Sequence, residues 1–353
     1  MLAVFKSVLF DVNFLGAFFQ SVIIVTLGYF FRRKGLVDHG GKKVITAIVW
    51  KISVPCVAFN AFMQDFSRTD FATGLWLLGI SVVIYALLLV AGKFLFRHKG
   101  DEESMIAGLF AAVGQTTLFS MPILLSVYAG QDEQVSLYIS SVSIAFRIMV
   151  YIVGFYLISG EKFLLRHIAT SLKKVFVTPI MVGMFLGLAI WLLQDALPKV
   201  STASGLYAFA RVDKTLPALY MTVTSLCKLL TPLSMFLIGM SVGETNILAS
   251  IEDKDAWLIA LLRNFAAPVF VLLFACALHA LGVVHFDEHS LVTLVIAFSA
   301  PVSVTLSMTC VEYHRHEVLA TRACIISTVL TAVSMPFCFV LVRAALSSPL
   351  FAR

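Results

Sequence analysis

Phe119-Ser120-Met121-Pro122-Ile123 and Phe298-Ser299-Ala300-Pro301-Val302 are similar stretches, and each lies inside an apolar segment of helix length. A second similar pair, Lys51-Ile52-Ser53-Val54-Pro55 and Lys228-Leu229-Leu230-Thr231-Pro232, lies earlier in each half of the chain. The prolines of the two pairs are separated by 179 (301 − 122) and 177 (232 − 55) residues. Two matches at nearly the same offset predict that the chain consists of two similar halves.

The composition is typical of a membrane protein. Of the 353 residues, 60% are hydrophobic and only 13% are charged, and the mean hydropathy is +0.96. About a quarter of the residues are charged in ordinary soluble domains, and a helix needs about 20 apolar residues to cross a bilayer. The apolar segments are too long to be the short alternating strands of an outer-membrane barrel. We therefore expect ten membrane-spanning helices, at 11–31, 43–64, 71–96, 104–128, 135–158, 175–194, 217–243, 256–283, 290–311 and 317–344.

These segments predict an all-α polytopic membrane protein made of two five-helix repeats, residues 1–158 and 159–353. An odd number of spans per repeat starts the second repeat from the opposite side of the membrane, so the two repeats must be inverted. The connections are short. The longest, residues 195–216, leaves room for a small amphipathic helix.

Lysine and arginine residues concentrate in the odd-numbered loops. The first loop holds five and the third three, whereas the second, fourth and eighth hold one, none and none. The positive-inside rule therefore places the odd loops in the cytoplasm and both termini outside, in a multi-pass protein of the inner or plasma membrane. The sixth loop does not fit this rule, because it carries three basic residues on the predicted outside. The basic residues of the fifth and sixth loops are Lys162, Arg166, Lys173 and Lys174, and Lys199, Arg211 and Lys214.

The prolines of the fourth and ninth segments predict broken helices. A proline removes a backbone hydrogen bond, and unpaired backbone in hydrocarbon costs several kcal/mol unless protein or a water-filled cavity covers it. Broken helices in corresponding positions of two repeats indicate a transporter binding site near the midplane, where helix N-termini face an anion. We therefore expect substrate contacts from Gln115, Thr116, Thr117, Ser120 and Pro122 and from Ser299, Pro301, Ser303 and Thr305.

Three further polar residues lie inside apolar segments. Arg147 is near the middle of the fifth segment, where an ionised side chain costs at least about 2.5–3.5 kcal/mol. It is either a counter-charge for an anionic substrate or a structural charge bonded to carbonyl groups at the break in the fourth helix. Asn60 is either a substrate contact or a partner in an interhelical hydrogen bond. Arg322 lies nearer a membrane face and is either a second functional charge or a side chain that reaches the interface.

Other classes of site are not expected. The six cysteines lie inside apolar segments without a CxxC pair, and no carboxylate falls at the midplane, so we expect no metal site, cofactor or disulfide. Most histidines lie at loops, and no HExxH or GxSxG motif occurs, so we do not expect an enzyme. The basic residues lie in loops and at helix ends, which suits membrane topology rather than nucleic-acid binding.

Three longer stretches carry a family resemblance. Gly28-Tyr29-Phe30-Phe31-Arg32-Arg33-Lys34-Gly35 is similar to the exit from the first helix of the auxin efflux carrier family, which includes plant PIN-type carriers and bacterial malate and malonate permeases. Val54-Pro55-Cys56-Val57-Ala58-Phe59-Asn60-Ala61 resembles its second helix, and Thr231-Pro232-Leu233-Ser234-Met235-Phe236-Leu237-Ile238-Gly239-Met240 its seventh. The sequence departs from many bacterial members by lacking a glycine before Pro122, and from many plant members by lacking a long cytoplasmic loop.

The resemblance implies ten helices, of which the fourth and ninth cross at their prolines beside the substrate. It also implies a scaffold part, residues 11–64 and 175–243, through which family members often form homodimers. Residues 71–158 and 256–344 would form a transport part that moves in an elevator-like way. Small organic anions are the substrates that the resemblance implies.

The repeat, the broken helices, Arg147 and the resemblance together favour a secondary transporter. It would move a small organic anion, such as a malate-like or auxin-like carboxylate, by elevator-type alternating access. The alternative is a membrane receptor or sensor that binds a ligand on a carrier fold without transporting it. The expected partners are the organic anion and the lipid bilayer, with no nucleic acid.

Overall fold

The computed structural model describes residues 12–128, 132–160, 177–202, 205–244, 250 and 252–351. Most of these residues are helical. The main elements in chain order are α1 (Val12–Arg33), α2 (Gly40–Asn60), α3 (Arg68–Leu95), α4 (Asp101–Ala112), α5 (Thr116–Val127), α6 (Gln134–Ser159), α7 (Pro179–Leu193), β1 (Lys199–Thr202), β2 (Gly205–Ala208), α8 (Pro217–Gly243), α9 (Lys254–Ala280), α10 (Glu288–Phe298), α11 (Val304–Glu312) and α12 (Glu317–Leu346).

Six of the described helices, α2, α3, α6, α8, α9 and α12, are long and apolar enough to cross a membrane. The fourth and ninth predicted segments are both divided, the fourth into α4 and α5 and the ninth into α10 and α11. Ten spans and an inverted relation between the halves remain predictions. Residues 175–176 of the sixth segment lie outside the described residues, as do Lys162, Arg166, Lys173 and Lys174 of the fifth loop.

Wide π-helical turns interrupt three of the long helices, α2, α6 and α9, and another begins α5. Three of these turns, Val49–Ser53 in α2, Thr116–Ser120 in α5 and Leu262–Ala266 in α9, end two residues before a proline. Proline cannot donate a backbone hydrogen bond, and a π turn changes which carbonyl each following residue pairs with. The chain therefore continues past Pro55, Pro122 and Pro268 without a break.

One group of helices consists of α1, α2, α7 and α8. In it α1 packs along the second half of α8, and the last turns of α2 pack on α7. Glycines permit this close approach: a Cβ atom on Gly239 would lie 1.9 Å from the carbonyl oxygen of Val25, and one on Gly183 2.6 Å from that of Pro55. Small residues of this kind let membrane helices meet along their backbones.

The second group consists of α3 to α6 and α9 to α12. Here α3 packs against α4 and α6, α10 packs against α6, and α9 packs against α12. The two groups meet where α5 lies against α1 and α8, and where α6 lies against the end of α2. The broken helices therefore lie inside the second group, with one face of α5 turned toward the first.

The loop at residues 195–216 does not form the amphipathic helix for which it has room, although the fold is mostly helical. It forms an antiparallel hairpin in which Lys199 pairs with Ala208 and Thr202 with Gly205, followed by a single helical turn at Val212–Thr215. Val200 and Thr202 are β-branched, which favours a strand. Gly205 has a φ of +136°, which suits glycine at the turn.

Arg211 explains why this loop is basic on a face where few basic residues were expected. The side chain is 2% exposed and donates to Asp65 (2.9 Å), Asp213 (2.8 Å) and Gln194 (2.6 Å). Burial alone would lower the pKa of Arg211, but the hydrogen bonds and charges of Asp213 and Asp65 outweigh it, and the pKa lies above its ordinary value. Arg211 therefore holds the second loop and the hairpin loop together.

The loops sort into two faces by their contacts. On the odd-loop face Glu244 pairs with Arg32 and Lys42, Lys99 with Asp255, and Glu102 with Arg315. On the even-loop face Asp65 pairs with Arg211, Gln134 donates to Asp70, and Arg343 pairs with Glu288. Loops that the sequence places on one side of the membrane therefore contact one another. Which face is cytoplasmic remains a prediction.

The close contact between α1 and α8 gives a test of this packing. In the Gly239→Ala variant the added methyl group would overlap the carbonyl oxygen of Val25, so the two helices must separate. We expect a loss of about 1–3 kcal/mol in the free energy of unfolding, the usual cost of overpacking. Thermal unfolding in detergent micelles should show a lower midpoint. The matched control is Gly79→Ala in α3, where an added Cβ meets nothing within 4 Å. Equal midpoints for the two variants would contradict the packing.

Candidate functional site

The two broken helices meet in the interior. Residues 113–115 link α4 to α5, residues 299–303 link α10 to α11, and the two links run antiparallel with Gly114 opposite Val302. The backbone N–H of Gln115 donates to the carbonyl of Pro301 (2.7 Å), and that of Ser303 donates to the carbonyl of Val113 (3.2 Å). We call this pairing the crossing. It supplies hydrogen bonds to backbone that neither helix can satisfy.

The prediction that the helices cross at their prolines is correct for Pro301 and wrong for Pro122. Pro301 lies in the second link, whereas Pro122 follows the first link by seven residues (122 − 115) and begins the regular part of α5. The first turn of a helix tolerates proline because its N–H is not needed there. The π turn at Thr116–Ser120, just before the proline, changes which carbonyl each following residue pairs with, so the helix continues through Pro122.

Arg263 of α9 binds both broken helices and was not identified from the sequence. Its side chain is fully buried, and it donates from Nη1 to the carbonyl of Ala112 (2.5 Å) and from Nε to that of Ala300 (3.0 Å). The guanidinium also lies 5.7 Å from the centre of the Phe298 ring. A cation is favourable at these positions because the last carbonyls of a helix are unpaired and carry partial negative charge. A charged residue inside the eighth apolar segment was the available signal.

Gly114 makes room for this guanidinium. A Cβ atom at position 114 would lie 2.1 Å from Nη2 and 2.6 Å from Cζ of Arg263. Because the guanidinium is held by two hydrogen bonds, it could move aside only by losing them. Glycine at the crossing is therefore required by the arginine, not by the proline that follows.

A polar network anchors the second link to α12. The backbone N–H of Val302 donates to the hydroxyl of Ser327 (2.9 Å), which donates in turn to Oδ1 of Asn264 (2.5 Å). Nδ2 of Asn264 donates to Thr331 Oγ1 (2.8 Å). All of these side chains are buried. Arg263 and Asn264 are adjacent residues in the π turn of α9. Arg263 binds the end of α4 and the second link, and Asn264 supports the second link through Ser327.

Three of the predicted site residues donate hydrogen bonds from their hydroxyl groups to carbonyls at the end of α10. Thr116 donates to the carbonyl of Ala297 (3.3 Å), and both Ser120 (2.7 Å) and Ser299 (2.9 Å) donate to that of Ile296. They satisfy carbonyl groups that the last turn of a helix leaves unpaired. The structure therefore places them at the crossing, with their donor capacity already used.

Gln115 and Ser303 form a pair across the crossing. The hydroxyl of Ser303 donates to Oε1 of Gln115 (3.0 Å) and accepts from the N–H of Leu306 (3.4 Å), which caps α11. Nε2 of Gln115 has no hydrogen-bond partner among the described residues, although the side chain is only 1% exposed. A buried amide donor without a partner costs free energy, so this position favours a ligand or water that accepts from it.

Gln115 also lines a cavity of about 880 Å³ that leads away from the crossing. Pro301 is at the same inner end, and Lys42, Lys43 and Glu244 lie on the odd-loop side. One face of α11 forms a wall. The remaining wall residues come from α5, α8, α11 and α12, and they are Phe119, Ile238, Ser241, Val242, Val304, Ser307, Met308, Val311, Thr321, Cys324, Ile325 and Thr328. We call this space the main cavity.

Of the eleven predicted contact residues, only Gln115 and Pro301 line the main cavity. Thr305 lies on α11 between residues that do, but it is not one of them. Asn60 is at the end of α2, where its Oδ1 is buried without a partner among the described residues. The contacts expected from Thr305 and Asn60 remain predictions.

Arg147 lies behind the crossing and does not line the main cavity. It is 2% exposed, and its Nη2 donates to Thr117 Oγ1 over a long distance of 3.4 Å. Among the described residues, no carboxylate forms an ion pair with it. Arg322, by contrast, pairs with Asp253 at 3.1 Å and is partly exposed, which favours its structural interpretation.

A family described as "Membrane transport protein" matches residues 14–339, which is nearly the whole chain. This match confirms the resemblance drawn from the helix-one, helix-two and helix-seven stretches. No curated protein matches the chain.

The two carbonyl contacts of Arg263 make a prediction about stability. In the Arg263→Lys variant the charge stays, but a compact ammonium cannot reproduce the planar fork of donors. At least one buried carbonyl should lose its partner, which costs about 1–3 kcal/mol. The same change at the partly exposed Arg322 should cost less than about 1 kcal/mol. Denaturant unfolding in mixed micelles would measure both, and an equal loss in the two variants would show that Arg263 does not hold the crossing.

Proposed function

Because the chain belongs to the membrane transport protein family, the family of the auxin efflux carriers, we propose that it is a secondary transporter for a small organic anion. The observation that carries this proposal is the main cavity, which joins the odd-loop face to the crossing and ends at an unsatisfied amide donor. Crossed broken helices are where membrane carriers place a substrate at mid-depth.

The charges around the crossing support an anion. Arg147 and Arg263 are both buried, and neither has a carboxylate partner among the described residues. The N-terminal ends of α5 and α11 also meet at the crossing, and helix N-termini carry partial positive charge. Glu244 is the one carboxylate that lines the main cavity in the described part of the chain, and it is paired with Arg32 and Lys42. A negative ligand would therefore reduce an excess of positive charge.

In this proposal Gln115 contacts the substrate directly and most of the other predicted residues support the site. Gln115 offers its free Nε2 donor, and Ser307 lies on the neighbouring wall formed by α11. Ser303 orients Gln115 by donating to its Oε1. Arg147 acts through its charge rather than through contact.

The contacts between the two helix groups support an elevator-type motion. Apart from Arg211 with Asp65, which lies in the loop that connects α2 to α3, the ion pairs between described residues join residues of the same group or of its own loops. Between described residues of the two groups, a long side-chain hydrogen bond runs from Thr231 Oγ1 to the carbonyl of Pro122 at 3.4 Å. The pairs within the groups include Arg32 and Lys42 with Glu244, Arg211 with Asp213, Lys99 with Asp255, Glu102 with Arg315, Asp253 with Arg322, and Glu288 with Arg343.

We assign the scaffold role to α1, α2, α7 and α8, whose backbones are in close contact, and homodimer formation to the same helices. The second group would then carry the crossing and the substrate across the membrane. The main cavity opens toward the odd loops. If these loops are cytoplasmic, as the positive-inside rule predicts, this conformation accepts substrate from the inside.

A flux experiment tests the transport function. Purified protein in proteoliposomes should show counterflow of a labelled carboxylate, found by screening mono- and dicarboxylates for thermal stabilisation. The Gln115→Leu variant should lose at least about tenfold in apparent affinity, because it removes the donor that the cavity offers. The matched control is Thr305→Val, in the first turn of α11 directly after the crossing, which is outside the cavity lining. Ligand binding without flux would instead favour the receptor alternative.

A second experiment tests the role of Arg147. The Arg147→Gln variant should weaken anion binding about tenfold, since a partly screened charge one helix away contributes about 1–2 kcal/mol. The Arg147→Lys variant should retain most of the affinity because it keeps the charge. Isothermal titration of the folded, monodisperse variants measures both. Unchanged affinity in Arg147→Gln would assign Arg147 a structural role only.

A further inference from the structure

A second cavity of about 190 Å³ lies beside the main cavity, between α1, α5, α8 and α12. Its walls are mostly apolar, with Val25 from α1, Ile123 from α5, Met235 from α8 and Met335 from α12. We call it the side cavity. Because α1 and α8 belong to the first helix group and α5 and α12 to the second, it lies at the interface between the groups.

The side cavity reaches the outer surface of the protein at mid-membrane depth. Val22 and Val329 line it and are 39% and 54% exposed. The α1 residues in its wall, Ser21 to Thr26, are the middle of that 22-residue helix, and the α12 residues, Thr328 to Met335, are the middle of a 30-residue helix. At this depth the surrounding medium is lipid hydrocarbon, without water.

The hydroxyl groups in its wall are already bonded. Thr26 donates to the carbonyl of Val22, Thr328 to that of Cys324 and Thr331 to that of Ser327, each at 2.7 Å. These side chains therefore present mainly their methyl groups. This differs from the main cavity, where Gln115 keeps a free donor. The walls of the side cavity suit an apolar ligand.

The side cavity is continuous with the wall of the main cavity. Phe119, Ile238, Val242 and Thr328 line both spaces. Phe119 follows Gln115 by one turn, so its ring lies between the inner end of the main cavity and the side cavity. Whatever fills the side cavity therefore lies against the back of the substrate site.

We propose that the side cavity binds the distal part of an acyl chain from a bilayer lipid, which completes the lateral wall of the main cavity behind Phe119. A hydrocarbon chain is the ligand that the opening meets, that apolar walls favour and that bonded hydroxyl groups do not repel. An empty apolar space would forfeit contacts along its lining, and water there would lack polar partners.

This binding site has a mechanical consequence. The two helix groups meet around the chain, so their relative movement changes the space that it occupies. An acyl chain that fits one conformation better than another shifts the population toward it. Lipid composition would then influence the conformational equilibrium through a defined site rather than through the bilayer as a whole.

A photochemical probe tests the proposal in the full-length protein, reconstituted in bilayers of phosphatidylcholine. A diazirine-bearing aliphatic amino acid in place of Ile123 reports its neighbour on irradiation, because it forms a lipid adduct or a water adduct that differ in mass. Ile123 is 4% exposed. The negative control is the same probe at Ile139, which is also buried but lines neither cavity. The positive control is Val83 on α3, which is 47% exposed near the middle of its helix.

We expect a lipid adduct at Ile123 about tenfold above the Ile139 background, since a close-packed interior excludes lipid. The Ala332→Trp variant, which fills the side cavity from α12, should reduce the Ile123 adduct severalfold and leave the Val83 adduct unchanged. A water adduct at Ile123 would overturn the proposal by showing that the side cavity is part of the aqueous space. A yield equal to that of Ile139 would overturn it as well, because the space would then be closed to lipid. Neither readout depends on transport, so failure here leaves the carrier function untouched.

Discussion

The rest of the structure depends on how two interrupted helices satisfy their backbone inside a membrane. Each interruption leaves donors and acceptors that hydrocarbon cannot solvate. The chain solves this by pairing one interruption with the other, at Gly114 and Val302. The remaining carbonyls accept hydrogen bonds from Arg263 and from the hydroxyl groups of Thr116, Ser120 and Ser299. Neither broken helix could therefore exist without its partner.

This solution also decides what is left for a ligand. Most polar groups at the crossing are occupied in holding it together, which is the usual role of buried polar groups in membrane helices. The amide of Gln115 remains available, and it lies at the inner end of the main cavity. A few free donors on a support whose other polar groups are mostly bonded make a selective site, because a ligand that fails to accept leaves a buried group unsatisfied.

Hydropathy predicted the six long apolar helices of the structure, and the repeated Phe-Ser-x-Pro stretch predicted the two helices that break. They could not locate the first break itself, because the proline marks only where a helix resumes after a π turn. The interruption lies at Gly114, whose role depends on an arginine about 150 residues away. Arg263 carried the same local signal as Arg147, yet its importance comes from two carbonyls brought together by folding. The hairpin after α7 was likewise unforeseen, since Asp65, which lies 146 residues before Arg211, meets it only in the folded chain.

If the proposed elevator motion takes place, the buried arginines also affect its energetics. Arg147 and Arg263 belong to the group that would travel, and the described ion pairs do not neutralise them. Without substrate these two residues would then carry their positive charge through the membrane field, and one monovalent anion would remove half of it. Each elementary charge moved across 100 mV corresponds to about 2.3 kcal/mol. Membrane voltage would therefore act most strongly on the return of the unloaded carrier, because a bound anionic substrate cancels part of the moving positive charge.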